Sequence, residues 1–184
     1  MRGVLANPRS HGLLGAVMTR RPDLQNGQDL FDDSQPADLV RSAGPVRRLI
    51  VEADGGSRGN PGRAAYGALI RDAESLTVLA AEGLPIGVAT NNVAEYRGLV
   101  AGLEMARALD AEAAVEVRMD SKLVIEQMAG RWKIKHPDMK PLALEASRVR
   151  PAEVTWTWVP REENKAADAL VNMALDGQPV TRRH

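Results

Sequence analysis

The sequence predicts an α/β protein in which a five-stranded mixed sheet is flanked by helices. Runs with β-branched or alternating apolar residues and alanine-rich stretches of helical period follow one another in the order βββ-α-β-α-α-β-α. The chain has 184 residues, of which 44% are hydrophobic and 26% charged, enough for one ordinary core and too apolar for wholesale disorder. Clusters of Gly, Pro, Asn and Ser punctuate the runs where turns are needed.

Residues 1 to 45 carry five arginines and five aspartates among scattered Pro and Gly, without sustained periodicity, and read as a flexible N-terminal extension. The ordered domain is placed at 46 to 176. Its first strand, Arg47 to Asp54, is ended by Gly55-Gly56 and the turn-forming run Ser57 to Gly62. Ala64 to Arg71 and Leu76 to Gly83 make two further strands of an antiparallel meander. Between Asn92 and Leu109, Leu99, Leu103 and Ala106 recur at helical spacing beside Val100 and Met105, and the alanine content favours helix. Ala114 to Met119 reads as a short strand, Ser121 to Met128 and Pro137 to Val149 as helices, and Glu153 to Val159 as a strand. Glu162 to Leu175 is the closing helix, and 177 to 184 a short tail.

Composition removes several chemistries. Without cysteine there is no disulfide scaffold, thiolate metal site or thiol nucleophile. The three histidines, His11, His136 and His184, are too scattered for a zinc site or a Ser-His-Asp triad. Lys plus Arg and Asp plus Glu number 24 each, so attraction to a polyanion must come from local patches. Aromatic residues are only 3% of the chain, which limits base stacking. No run approaches the ~18 apolar residues of a membrane span. The apolar residues after Arg2 are interrupted at Asn7 to His11, which disfavours a signal peptide. A cytoplasmic location, away from membranes, is expected.

Carboxylates are what remains. Asp54 follows the first strand, Asp120 follows the fourth, and Glu95 falls in the first turn of the long helix. Asp168 lies on the last helix, in a polar stripe Asn164, Asp168, Asn172. Hard oxygen donors with no His or Cys beside them suit Mg²⁺ or Mn²⁺. Each acid also has a plainer use. Asp120 would N-cap the following helix, Asn92 and Glu95 have capping-box spacing, Asp54 suits a turn, and Asp168 can pair with Lys165.

The residues around these acids form a pattern. Asp54-Gly55-Gly56-Ser57-Arg58-Gly59-Asn60-Pro61-Gly62 with Tyr66-Gly67-Ala68 resembles the opening motif of the ribonuclease H family. Thr90-Asn91-Asn92-Val93-Ala94-Glu95-Tyr96 resembles its T-N-N-x-x-E helix start, and Met119-Asp120-Ser121 its strand-ending Asp-Ser. Trp156-Thr157-Trp158-Val159 is similar to its aromatic strand, and Asn164-Lys165-Ala166-Ala167-Asp168 to its N-x-x-x-D. The ordered blocks cover about residues 47 to 175 and resemble the compact bacterial and archaeal branch. Two departures stand out. The basic helix-loop of longer members is shortened to Gly130 to Lys140, which keeps Arg131, Lys133, Lys135, His136 and Lys140 with Trp132 among them; a solvated loop is the alternative. The family's histidine loop is replaced by Pro160-Arg161-Glu162-Glu163, with Arg161 a candidate for part of the histidine's role at the phosphate.

The resemblance implies a ribonuclease H-like fold and an endoribonuclease that hydrolyses the RNA strand of RNA-DNA hybrids, leaving 5′-phosphate and 3′-hydroxyl ends. It implies two ions, Mg²⁺ or Mn²⁺, per site with substrate. Asp54 would bridge both, Asp168 would help hold the ion on the water side, and Glu95 with Asp120 the ion on the leaving-group side. It places Asn60, Asn91 and Asn92 at the RNA strand and groove, and Thr90 at a phosphate of the DNA strand. Gly55 and Ser57 in the glycine loop, with Trp132, Lys133 and Arg161, complete the expected substrate contacts. A plain tight turn at Gly55 to Gly62 and a helix cap at Thr90 to Asn92 are the structural alternatives. A monomer is expected. Cleavage of double-stranded RNA, or silent binding of hybrids, are the alternative functions. Some relatives of this branch carry a fused phosphatase domain; with a short tail after Leu175, that activity is not expected here.

Overall fold

The structure, a computed structural model, describes residues 46–183. The extension read into residues 1 to 45 lies outside the described residues, as does His184 of the tail. The elements in chain order are β1 (Arg48–Gly59), β2 (Gly62–Asp72), β3 (Val78–Ala89), α1 (Asn91–Leu109), β4 (Ala114–Met119), α2 (Lys122–Met128), α3 (Met139–Val149), β5 (Val154–Trp158), a 3-10 turn (Arg161–Glu163), α4 (Lys165–Leu175) and β6 (Val180–Arg183). The sheet is six-stranded, in the order β5-β4-β1-β2-β3-β6. β1, β2 and β3 form the antiparallel meander, whereas β1, β4 and β5 run parallel. Among the described residues, no helix is long and apolar enough to cross a membrane.

Three expectations are corrected. The sheet has six strands, not five, because Val180–Arg183 of the expected tail pairs antiparallel with the edge of β3, from Gly83↔Val180 to Ala80↔Arg183. β1 does not end at the glycines. Gly55 and Gly56 pair with Tyr66 and Ala65, the ladder continues to Gly59↔Gly62, and the turn shrinks to Asn60-Pro61. The last helix is broken near its start: Asn164 adopts φ −109° and ψ 17°, which separates the 3-10 turn from α4.

The glycines that read as turn formers are there for packing. Neighbouring residues of a strand face opposite sides of a sheet. A Cβ on Gly55 would strike the backbone of Ala94 and Glu95 in α1, and one on Gly56 would meet Val171 of α4. The two helices therefore lie on opposite faces. The larger core, with Leu49, Val51, Ala53, Leu99, Leu103 and Val117, fills the α1 side, while Ala65, Val171 and Ala174 form a smaller cluster under α4. With few aromatic rings available, small side chains let helices sit close to the sheet, so dense packing takes the place of bulk.

Candidate active site

β1 and β4 pair in parallel up to Glu52↔Arg118. Two residues on, the same register sets Asp54 level with Asp120, where the pairing stops. Glu95 is brought in by close contact between α1 and β1. A Cβ on Gly55 would lie 2.1 Å from the Glu95 nitrogen, and one on Gly98 would lie 2.5 Å from the Asp54 carbonyl oxygen, so both positions must be glycine for this contact. Thr90 caps α1, its hydroxyl accepting from Val93 N at 3.4 Å, so the Asn92–Glu95 capping box does not form. Glu95 falls in the second turn of α1 rather than the first. Its Oε1 accepts from Asn91 Nδ2 at 3.4 Å, and Asn91 N donates to Asn60 Oδ1 at 3.2 Å, tying the helix start to the β1–β2 turn.

Asp120 does not cap α2, whose N-cap is Ser121. Its Oδ1 accepts from Asn164 Nδ2 at 2.7 Å, and its main-chain carbonyl accepts from Trp158 Nε1 at 3.0 Å. Asp168 pairs with Arg161, Nη2 donating to Oδ1 at 2.6 Å, rather than with Lys165. The other oxygen of Asp168 accepts from Asn172 Nδ2 at 2.9 Å. Asn164, Asn172 and Trp158 were not among the sequence's candidate site residues. The N-x-x-x-D spacing, the polar stripe through Asn172 and the aromatic strand were visible signals for them, but nothing in a sequence shows where an amide points.

The acids feel one another. Burial, reinforced by the charges of Asp120 and Asp168, pushes the Asp54 carboxyl up to about 7, against the opposing pull of Gly55 N–H and Arg161. Glu95 is raised well above the ordinary glutamate range, first by burial and then by Asp54 and Asp120. Its Oε2 is buried without a hydrogen-bond partner. Among the described residues, no three acids are drawn into a closed metal-holding group. That openness suits like charges that repel, with the Arg161 guanidinium resting on Asp168. An all-oxygen donor set, an orphaned glutamate oxygen and two carboxyls resisting ionisation together fit a hard divalent cation, which would relieve the last two conditions.

The other candidates divide. Ser57 Oγ is buried and unpartnered, and Asn92 is exposed at the start of α1. At Gly55 the space a side chain would take is filled by α1, and its N–H donates to Asp54 Oδ1 at 2.8 Å. Trp132 and Lys133 line a groove of about 780 Å³ with Arg131, Lys135 and His136. The Lys133 carbonyl accepts from Gln127 Nε2 at 3.3 Å, and Gln127 Oε1 accepts from the buried Tyr96 hydroxyl at 2.8 Å, so this basic loop is anchored to the core. Trp132 remains 46% exposed.

The family described as Reverse transcriptase-like matches residues 52–174. The chain is 54% identical over 131 residues to the bifunctional protein Rv2228c of Mycobacterium tuberculosis, a match covering 70% of this chain and 36% of that one. It thus spans about a third of the length of the mycobacterial relatives it matches. Ribonuclease HI of Halobacterium salinarum is 41% identical over 145 residues, covering 77% of this chain and 72% of the relative. Among solved structures, LC11-RNase H1 in complex with RNA/DNA hybrid is similar with a TM-score of 0.67 at 39% identity, covering 70% of this chain and 97% of that one.

Proposed function

The chain belongs to the ribonuclease H family, and from that premise we propose that it is an endoribonuclease acting on the RNA strand of RNA-DNA hybrids. The observation that carries the proposal is the convergence of Asp54, Glu95, Asp120 and Asp168 from four separate elements, where burial, reinforced by the neighbouring acids, raises Asp54 and Glu95. The hybrid bound to LC11-RNase H1, a relative of matching fold, supports the choice of substrate.

In the reaction a water oxygen attacks phosphorus while the bond to the 3′ oxygen breaks, giving a 5′-phosphate and a 3′-hydroxyl. Two divalent ions, Mg²⁺ or Mn²⁺, would supply an activated water and neutralise charge on the departing oxygen. Asp54 would help hold both, Asp168 would serve the water side, and Glu95 with Asp120 would serve the leaving-group side. Asp54 must release its proton to do so. Arg161, with its side chain 74% exposed, can leave Asp168 for a phosphate oxygen without unpacking any core. Asn60, Asn91 and Asn92 offer amides to 2′-hydroxyls across the minor groove, the contact that distinguishes RNA from DNA. Trp132 and Lys133 would grip the backbone without reading sequence. The reading extends to a monomer in the cytoplasm.

The test is cleavage of matched end-labelled RNA-DNA hybrid, double-stranded RNA and double-stranded DNA with Mg²⁺ or Mn²⁺, each with an Asp54→Asn control. Cutting confined to the RNA of the hybrid, lost in the control, is expected. Equal cutting of double-stranded RNA would broaden the substrate class. Binding of hybrid without metal-dependent cutting would make the protein a silent binder.

A further inference from the structure

Asn164 is 1% exposed and stands at the N-cap of α4, where an asparagine oxygen ordinarily accepts from a backbone N–H two or three residues on. No such bond forms. The side chain is turned the other way, with Nδ2 donating to the Ala53 carbonyl at 2.9 Å and to Asp120 Oδ1 at 2.7 Å. Both partners can only accept, so the amide must present its NH₂ group to them and the opposite flip is excluded by chemistry. Asn164 Oδ1 is left buried with no partner. One residue thus forgoes its helix cap and buries an orphan acceptor, both unfavourable for stability. Local rules are broken in this way where position matters more than stability.

What Asn164 joins is specific. Ala53 precedes Asp54, Asp120 follows β4, and Asp168 lies one turn further along the helix that Asn164 begins. We infer that Asn164 is a positioning residue for the acid site: its amide fixes the rotation of the Asp120 carboxylate, holds Oδ1 inward, leaves Oδ2 for an ion, and sets Asp120, Asp54 and Asp168 in one frame. This deepens the proposed function and rests on it. α4 has an independent attachment to the sheet through Val171 and Ala174 against Ala65 and through close contact at Gly67 and Gly83, so the amide is not needed merely to dock the helix.

The experiment compares wild type, Asn164→Ala and Asn164→Ser. Calorimetric titration of substrate-free protein with Mg²⁺ and with Mn²⁺ is read beside kcat and KM on hybrid and the melting temperature in EDTA. Both variants are expected to bind the ions about 10- to 100-fold more weakly and to lose kcat on a similar scale. KM for hybrid should stay near the wild-type value, because the groove contacts are untouched. Ion affinity equal to wild type together with a lowered melting temperature would overturn the inference and make Asn164 a structural strut. If Asn164→Ala does not fold, Asn164→Ser decides by the same comparison, and failure of both to fold would likewise overturn it. A wild type that neither binds the ions nor cuts hybrid would instead overturn the proposed function beneath it.

Discussion

At the scale of single residues, Asp54 sets the terms. Its folded pKa near 7 lies above the ordinary 3.8, so between those values the metal-free folded state holds a proton that the unfolded state has released. That contribution to stability is complete below 3.8 and is lost as pH rises through about 7. In EDTA, Asp54→Asn should therefore melt higher than wild type above neutral pH, and with Mg²⁺ present its cleavage should fall at least about 100-fold. Thermal scans across pH, paired with hybrid cleavage, check both halves. The same proton competes with the cation, so Mg²⁺ affinity of the wild type should strengthen as pH rises through 7. Arg161→Ala should lower kcat about 10- to 100-fold with little change in melting temperature, since an exposed pair contributes ~0–1 kcal/mol. Loss of stability without loss of kcat would assign Arg161 to Asp168 alone. The acids themselves were legible in the sequence because their spacing from strand ends survives in one dimension. The direction of the Asn164 amide and the choice of Arg161 over Lys165 by Asp168 were not, because they depend on the break at Asn164.

At the scale of elements, the long helix was legible to within a residue, because Leu99, Leu103 and Ala106 keep the helical period against a single core. The glycine-rich end of β1 was misread for a physical reason. Glycine signals a turn locally, but here it answers to helices packed above and below the strand, which only tertiary contact reveals. β6 was missed because four residues after a Gly-Gln-Pro sequence are too few to show alternation. The contrast between adjacent glycines gives a test. A Cβ at Gly55 would lie 2.0 Å from main-chain carbon of Ala94, whereas at Gly56 the obstacle is a Val171 methyl at 3.0 Å. Gly55→Ala should cost about 3 kcal/mol or more and withdraw Glu95 from the site, while Gly56→Ala should cost only about 1 kcal/mol. Chemical denaturation of the two variants measures the difference, and equal costs would mean that α1 does not depend on this approach.

At the scale of the whole molecule, zero net charge leaves no general field to draw in a polyanion, so affinity must come from where the cations sit. The basic loop is the obvious place, yet its positive charge is not all available. Arg131 is bound to Glu126 at 2.5 Å, which leaves Lys133, Lys135 and Lys140 exposed for phosphates. These three lysine contacts would contribute about −3 to the slope in a plot of log affinity against log salt. Removing one of them by Lys133→Ala should make the slope less negative by about 1 and weaken binding equally for hybrids of different sequence, because the contact is to backbone and not to base edges. Arg131→Ala should leave the slope nearly unchanged, since its charge is already answered within the protein. Fluorescence anisotropy with labelled hybrids, in the Asp54→Asn background so that the substrate stays intact, separates these cases. A slope that ignores Lys133 would make the loop a solvated surface and move the hybrid's footing to Asn60, Thr90 and Asn91 around the start of α1.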